Sequence, residues 1–232
     1  MTSLDERFEV LGEVPAFAAL PDPLLRRLAR HAEERVLPAG AVLFEQGAMP
    51  THLHVLLDGQ VGLLGIGADG QTTVVEVLRP VDQFVLAAVL TDAPYLMAAR
   101  ALEPVRLYLI DAATVRQLVA DEPQLAVAMI VSLSRHFRML VRQVKDLKLR
   151  STAQRLGCYL LELAREQGDA ARLKLPYDKQ LLAARLGTTP ENLSRAFATL
   201  RDCGVRTSGA MVSLDRPVRL AEFAQPDDIS KT

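Results

Sequence analysis

Residues 178–214, DKQLLAARLGTTPENLSRAFATLRDCGVRTSGAMVSL, restrict the possible folds more than any other stretch of the chain. Asp178 is placed to cap a helix that runs to Leu186, and Gly187 supplies the turn that ends it. Thr189 and Pro190 are a cap and a first helical residue for a second helix, reaching about Asp202. A glycine turn between two helices also occurs in ordinary helical hairpins. What sets this stretch apart is the run Arg206–Leu214, which alternates around Ser208-Gly209 as a β-hairpin. Helix, turn, helix and hairpin in that order describe a winged helix-turn-helix.

The first two turns of the second helix present Thr188, Thr189, Glu191, Asn192, Ser194 and Arg195, while Leu193, Phe197 and Leu200 fall on the opposite, core face. Glu191 and Arg195 are four apart and share one side. In a major groove the carboxylate can accept from cytosine N4 and the guanidinium can donate to guanine O6 and N7. On a solvated face the same pair is an intrahelical salt bridge. Lys179 and Arg206 are candidates for backbone phosphate, Ser194, Thr188 and Thr189 for phosphate or base edges, and Ser208 is a further candidate for DNA contact.

Upstream, apolar residues recur at Ala126, Ile130, Leu133, Phe137, Leu140, Val144 and Leu147, in steps of four and three. That is the seam of a two-chain helix pair, with Arg135, Arg138, Arg142 and Lys145 off the seam. An amphipathic helix packed on its own domain is the other reading. Pro123 opens this helix, and a further helix is expected from about Ser151 to Glu166, with its exit at Gly168-Asp169.

From Arg35 to Ile110 the pattern is β-type: Val36-Leu37, Val42–Phe44, His52–Leu57, Gln60–Ile66, Thr72–Val77 and Arg106–Ile110. Turn signals at Pro38-Ala39-Gly40, Asp58-Gly59, Ala68-Asp69-Gly70 and Pro80-Val81-Asp82 separate the runs. Short strands with tight turns predict an antiparallel barrel or jelly roll, with Phe84–Leu90 as the one helical insert. Residues 14–32 read as a short helical region interrupted by Pro21 and Pro23. The expected fold is α+β, divided into a sensor barrel at 1–122, a dimerisation helix at 123–150 and a winged domain at 151–232.

Composition narrows the function. Residues 1–120 carry 9 Lys/Arg and 15 Asp/Glu, residues 121–150 carry 6 and 3, and residues 151–232 carry 12 and 10. An acidic first half and a mildly basic second half suit a protein that shows one end to a polyanion. The longest apolar runs fall short of a membrane span, the start of the chain lacks a secretory layout, and Cys158 and Cys203 form no disulfide framework; cytoplasmic residence is the expectation. No hydrolase elbow, zinc-protease motif or phosphate loop is found, so the chain is not expected to be an enzyme.

Over its whole length the chain resembles the CRP/FNR family of transcription regulators. The resemblance rests on LPAGAVLFEQGAMPTHLHVLLDGQVGLLGIGADGQTTVVEVLRP, on DLKLRSTAQRLGCYLLEL, and on QLLAARLGTTPENLSRAFATLRDCGV. It implies a homodimer, a palindromic operator in double-stranded DNA, and RNA polymerase as a partner. It also implies that Glu191 and Arg195 read a TTGAT- or TGTGA-like half-site. Pro190 stands where many members carry another contacting arginine, which leans toward the TTGAT form.

Cyclic-nucleotide-binding members place a Gly-Glu-like pair at the ribose and an Arg-Ser/Thr pair at the cyclic phosphate. The matching positions here are Val85 and Leu86, then Tyr95 and Leu96. A phosphate buried there would lack a cationic partner, so cyclic AMP is not expected. An iron-sulfur cluster is not expected either, since the first 157 residues contain no cysteine. The expected effector pocket is apolar: Phe84, Val85, Leu86, Tyr95 and Leu96 against Phe137, Leu140 and Val141. In this the chain is similar to the dissimilative-nitrate-respiration regulator (DNR) branch, whose members sense nitric oxide through haem, and haem b is the cofactor that branch implies. His31 and His136 are the leading candidates for an axial ligand, with His52 and His54 also available. An apolar metabolite without haem is the alternative effector, and a sensor module that does not bind DNA is the rival reading of the whole chain.

Overall fold

The computed structural model describes residues 3–67, 72–168, 170–176 and 178–226. The expected turn at Ala68-Asp69-Gly70, and Asp169 at the exit of the second long helix, lie outside the described residues. The chain divides into two compact units, Met1–Met139 and Leu140–Thr232.

The first unit opens with α1 (Leu4–Glu13) and α2 (Asp22–His31), followed by β1 (Ala32–Leu37), β2 (Val42–Phe44), β3 (His52–Asp58), β4 (Val61–Ile66), β5 (Thr72–Leu78) and β6 (Asp82–Phe84). Then come α3 (Leu86–Thr91), β7 (Ala98–Ala101), β8 (Val105–Asp111) and α4 (Ala112–Asp121). The described strands of this unit form two four-stranded sheets, β1-β8-β3-β6 and β2-β7-β4-β5, with every recorded pairing antiparallel. The expected jelly roll is therefore a two-sheet sandwich.

Strand β3 explains why its sequence reads as an almost unbroken apolar run. Leu53, Val55 and Leu57 join the core made with the helices, while Leu56 faces the core between the sheets. A strand covered on both faces needs apolar side chains at odd and even positions alike. Strand β8 does the same, sending Tyr108 and Ile110 to the helices and Leu107 to the sandwich. Leu24, Leu25 and Leu28 are buried in that helical core.

Three elements here differ from the sequence reading. Helix α1 begins at Leu4, capped by Ser3, whose hydroxyl accepts from the Glu6 amide. Strand β7 is Ala-Ala-Arg-Ala, a composition with little strand preference, and it forms because β2 and β4 flank it on either side. Phe84 belongs to a strand, not to the expected helix, because residues 82–84 pair with His54–Leu56. The break comes at Val85, whose φ of 62° is the left-handed region, uncommon for a β-branched residue.

Helix α5 (Pro123–Leu149) supplies residues to both units. The boundary between the two compact units falls within this helix, which the sequence reading sets apart as a segment of its own. Within the first unit Leu125, Met129 and Ser132 are buried, and Leu133 packs against the helical core.

The second unit continues with α6 (Thr152–Glu166), β9 (Arg172–Lys174), α7 (Lys179–Arg185), α8 (Pro190–Leu200), a 3-10 turn at Arg201–Cys203, β10 (Val205–Ser208), β11 (Met211–Leu214) and α9 (Pro217–Ala224). Ser151 and Gln154 form a reciprocal capping box at the start of α6. The hairpin β10–β11 gains a third strand, β9, against β11. Helix α9 packs on α6 where Gly157 admits Ala224: a Cβ on Gly157 would lie 2.8 Å from the Ala224 Cβ.

Candidate nucleic-acid interface and effector site

Local caps start both helices of the pair as expected. The Asp178 carboxylate accepts from the Leu181 amide at 2.8 Å, starting α7. The Thr189 hydroxyl accepts from the Asn192 amide at 3.3 Å, starting α8, with Pro190 in the first turn. Gly187 sits at φ 60°, and its missing side chain makes room for Leu147, whose Cδ2 would lie 2.6 Å from a Cβ there.

Leu193, Ala196, Phe197 and Leu200 are buried, which leaves Glu191, Asn192, Ser194 and Arg195 in solvent on the other face. The Glu191 carboxyl is held below the ordinary carboxylate range by its own backbone amide at the helix end, by the Thr189 hydroxyl and by the Arg195 charge. It is therefore ionised and acceptor-only, the state in which it can accept a hydrogen bond from a base amino group. Ser194 donates to the Pro190 carbonyl at 2.9 Å, so its hydroxyl oxygen is the part left to accept. Lys179 and Ser208 are exposed, Ser208 at the hairpin tip. Thr188 is half-buried, and Thr189 is engaged as a cap. Arg206 is exposed but paired with Asp215 at 2.9 Å.

A residue that sequence reasoning missed stands behind this surface. Arg155, on α6, donates from Nε to the Leu186 carbonyl at 3.0 Å and from Nη1 to the Arg150 carbonyl at 2.8 Å, with Gly187 O and Thr152 Oγ1 at 3.5 Å from Nη2. One guanidinium thus ties the turn of the helix pair to the junction between α5 and α6. Arg150 is ion-paired with Asp146 and donates to the Gln225 carbonyl at 2.7 Å. Neither role is visible in the sequence, where both arginines sit in a generally basic stretch.

On α5, Ile130, Phe137, Leu140, Val144 and Leu147 each leave half or more of their surface exposed, as do Val127 and Val141. Ala126 and Leu133 are half-buried. The helix thus carries two apolar faces, one packed on its own unit and one open.

The expected effector residues do not share one environment. Phe84, Leu86 and Tyr95 are buried in the first unit and Val85 is half-buried, whereas Leu96 is 87% exposed and Phe137 67% exposed. Leu140 and Val141 are exposed residues of the second unit. What gathers instead is an aromatic cluster inside the sandwich. Phe44 stacks on Tyr95 with centroids 3.9 Å apart, and His54 lies 5.3 Å from Phe44 and 5.1 Å from Phe84.

His54 is 5% exposed, and its Nδ1 has no hydrogen-bond partner among the described residues. Burial, reinforced by the nearby His52, lowers its pKa to about 4, so the ring is neutral at physiological pH. The Tyr95 hydroxyl is likewise buried without a hydrogen-bond partner at suitable distance and angle among the described residues. His31 is exposed at the end of α2, His52 bonds Thr51 Oγ1 at 2.9 Å, and His136 Nδ1 lies 3.2 Å from the Ser132 carbonyl. Gln83, also buried, donates to Ser132 Oγ at 2.9 Å and so joins β6 to α5.

Among the described residues no cluster of three His, Cys, Asp or Glu could hold a metal ion, and no helix is long and apolar enough to cross a membrane. Cys158 is half-buried with its thiol 3.4 Å from the Ala224 carbonyl, and Cys203 is buried.

Comparison with known proteins places both parts. Residues 34–122 match the model of the cyclic nucleotide-binding domain, and residues 154–223 match the Crp-like helix-turn-helix domain. The chain is 23% identical over 222 residues to a CRP-like cAMP-activated global transcriptional regulator of Mycobacterium tuberculosis, covering 94% of this chain and 99% of that one. Among solved structures, a candidate cAMP-binding regulatory protein from Silicibacter pomeroyi is 30% identical, with 94% of this chain and 98% of that one covered and a TM-score of 0.64. DNR from Pseudomonas aeruginosa is 29% identical, with 96% and 100% covered and a TM-score of 0.53.

Proposed function

The chain belongs to the CRP/FNR family of transcription regulators, and from that premise we propose that it is a homodimer that binds a palindromic operator through Glu191 and Arg195 and answers to a non-nucleotide effector. The observation that carries the reading is the exposed, ionised Glu191 with Arg195 one turn on, on a helix whose other face is wholly committed to the core. Such a pair can read a C·G base pair and a guanine in the major groove. Lys179, at the start of α7, and Ser208, at the hairpin tip, grip phosphate around it; Arg206 does so only by releasing Asp215. The open apolar face of α5 pairs with its copy, so two recognition helices meet successive major grooves about 34 Å apart. In this reading residues 1–122 sense, 123–150 pair and 151–232 bind DNA, with RNA polymerase as the downstream partner.

The test is a fluorescence-anisotropy titration against a TTGAT-type palindrome and a scrambled duplex. Glu191→Ala and Arg195→Ala should each lose about 1–3 kcal/mol of discrimination at one half-site position. Lys179→Ala should weaken both duplexes alike and flatten the salt dependence. Equal loss on both duplexes in Arg195→Ala would show a phosphate contact and overturn base reading by Arg195.

A second reading concerns the effector, and the buried imidazole favours it. Val85, Leu86, Tyr95 and Leu96 occupy the positions where nucleotide-binding relatives hold ribose and phosphate, which argues against cyclic AMP. Among the four histidines, His54 has the chemistry of an iron ligand: neutral, buried, walled by Phe44 and Phe84, with a nitrogen that lacks a partner. His31 and His136, preferred from sequence, are respectively exposed and close to a backbone carbonyl. Haem b, held by His54 between these rings, would supply an iron that binds nitric oxide, in keeping with the resemblance to the DNR branch. Phe44 and Tyr95 would have to part to admit it, and an apolar metabolite seated at the same rings is the alternative.

A further inference from the structure

The base of the wing carries more positive charge than its own structure uses. Arg201 ends the recognition helix, Arg206 lies on β10, and Arg216 and Arg219 lie at the start of α9. With Asp202 and Asp215 they line a depression of about 510 Å³. Gly204 brings these segments together. Its φ is 81°, its amide donates to the Arg201 carbonyl at 2.9 Å, and its carbonyl accepts from the Asp215 amide at 2.8 Å. A Cβ there would fall 2.9 Å from both the Cβ and the backbone nitrogen of Arg216, so the close approach requires glycine.

Among the described residues only Arg206 of the four has an acidic partner, Asp215. Arg201, Arg216, Arg219 and Asp202 make no side-chain hydrogen bond or ion pair among the described residues. Three unpaired guanidinium groups against one unpaired carboxylate leave an excess of two positive charges in one recess. Guanidinium forks match phosphate oxygens in pairs, and a recess of this size suits a ligand larger than a single phosphate.

We propose that this recess binds an oligophosphate anion, either inorganic or as the tail of a nucleoside polyphosphate, with Arg201, Arg216 and Arg219 on the phosphates. Asp202 accepts from a donor beside them, such as a ribose hydroxyl when the ligand is a nucleotide. The site is separate from Glu191 and Arg195, and the proposal does not rest on base reading by those two residues.

Isothermal titration of the full chain with tripolyphosphate and with ATP, in the absence of DNA and at 150 mM salt, is the test. Both ligands should bind saturably, at about one per chain. Arg216→Ala/Arg219→Ala should weaken them at least about tenfold while melting at the temperature of the parent. Arg195→Ala should bind them unchanged, which keeps this result distinct from the operator reading. Tighter binding of ATP that Asp202→Ala abolishes identifies the nucleotide form; equal binding identifies the inorganic one. Absence of saturable binding, or binding indifferent to the double substitution, overturns the proposal. So does a double variant that loses affinity for a scrambled duplex when tripolyphosphate neither binds nor competes, because the arginines would then serve the DNA backbone.

Discussion

Replacing Leu140 by aspartate probes the proposed helix pairing, on which the operator reading depends. In the single chain Ile130, Phe137, Leu140, Val144 and Leu147 leave half or more of their surface in water. Covering one such side chain withdraws on the order of 60–100 Å² of apolar surface, about 1.5–2.5 kcal/mol. Leu147 already rests against Gly187, so four side chains per copy, eight in the pair, are free to contribute. Their gross contribution is on the order of 12–20 kcal/mol, set against about 4–15 kcal/mol lost on association. The margin is thin, and the substitution acts on both copies. It removes about 4 kcal/mol of leucine burial and places two carboxylates near one another in a drying interface, which raises Kd by at least about a thousandfold. Sedimentation velocity at micromolar protein should show a monomer with an unchanged circular dichroism spectrum, and specific DNA binding should fall with it. An L140D protein that sediments as an intact dimer would refute the seam as the interface, and the spacing of the recognition helices would need another origin.

Further outcomes follow from Arg155 and His54. Arg155→Ala removes two charged hydrogen bonds to the Leu186 and Arg150 carbonyls, at about 1.5–3 kcal/mol each for a buried case and less here because the side chain is partly exposed. Thermal melting should drop by several degrees, and the ratio of specific to non-specific DNA affinity should fall; an unchanged ratio at lowered stability would mean that the arginine only holds the fold. His54, with a folded pKa of about 4 against 6.5 unfolded, should make stability fall as pH drops from 6.5 toward 4, because the unfolded chain takes up the proton first. The slope is about 1.4 kcal/mol per pH unit within that window, and His54→Phe should abolish this component. Identical pH profiles of the two proteins would contradict the buried neutral ring. The same variant tests the effector reading: haem titrated into the parent should give a saturable absorption change at one per chain that nitric oxide shifts, and His54→Phe should lose it.

The winged domain was legible because its signals are local. Asp178, Gly187, Thr189 and Pro190 act within a few residues of themselves, through caps and one left-handed turn, so their types alone predict α7, the turn and α8. The recognition face follows from helical period, and Glu191 and Arg195 stand where it puts them. The strands of the sandwich were legible for the same reason, since apolar runs and turn signals are properties of neighbouring residues. What the tertiary structure decided depends on partners far away in sequence. Ala98–Ala101 becomes a strand because two other strands flank it, and Phe84 leaves the expected helix to pair with His54. Leu96, apolar by type, turns to solvent, while His54, one of four similar histidines in the sequence, is enclosed by rings contributed by β2 and β6. Arg155 acquires its role from carbonyls about 30 residues downstream, and the arginines of the wing base meet only because Gly204 lets two chain segments touch. Periodicity records which face of an element is apolar. Which group lies opposite a given side chain, and whether water reaches it, is settled by packing between segments distant in the chain, and no local pattern encodes that.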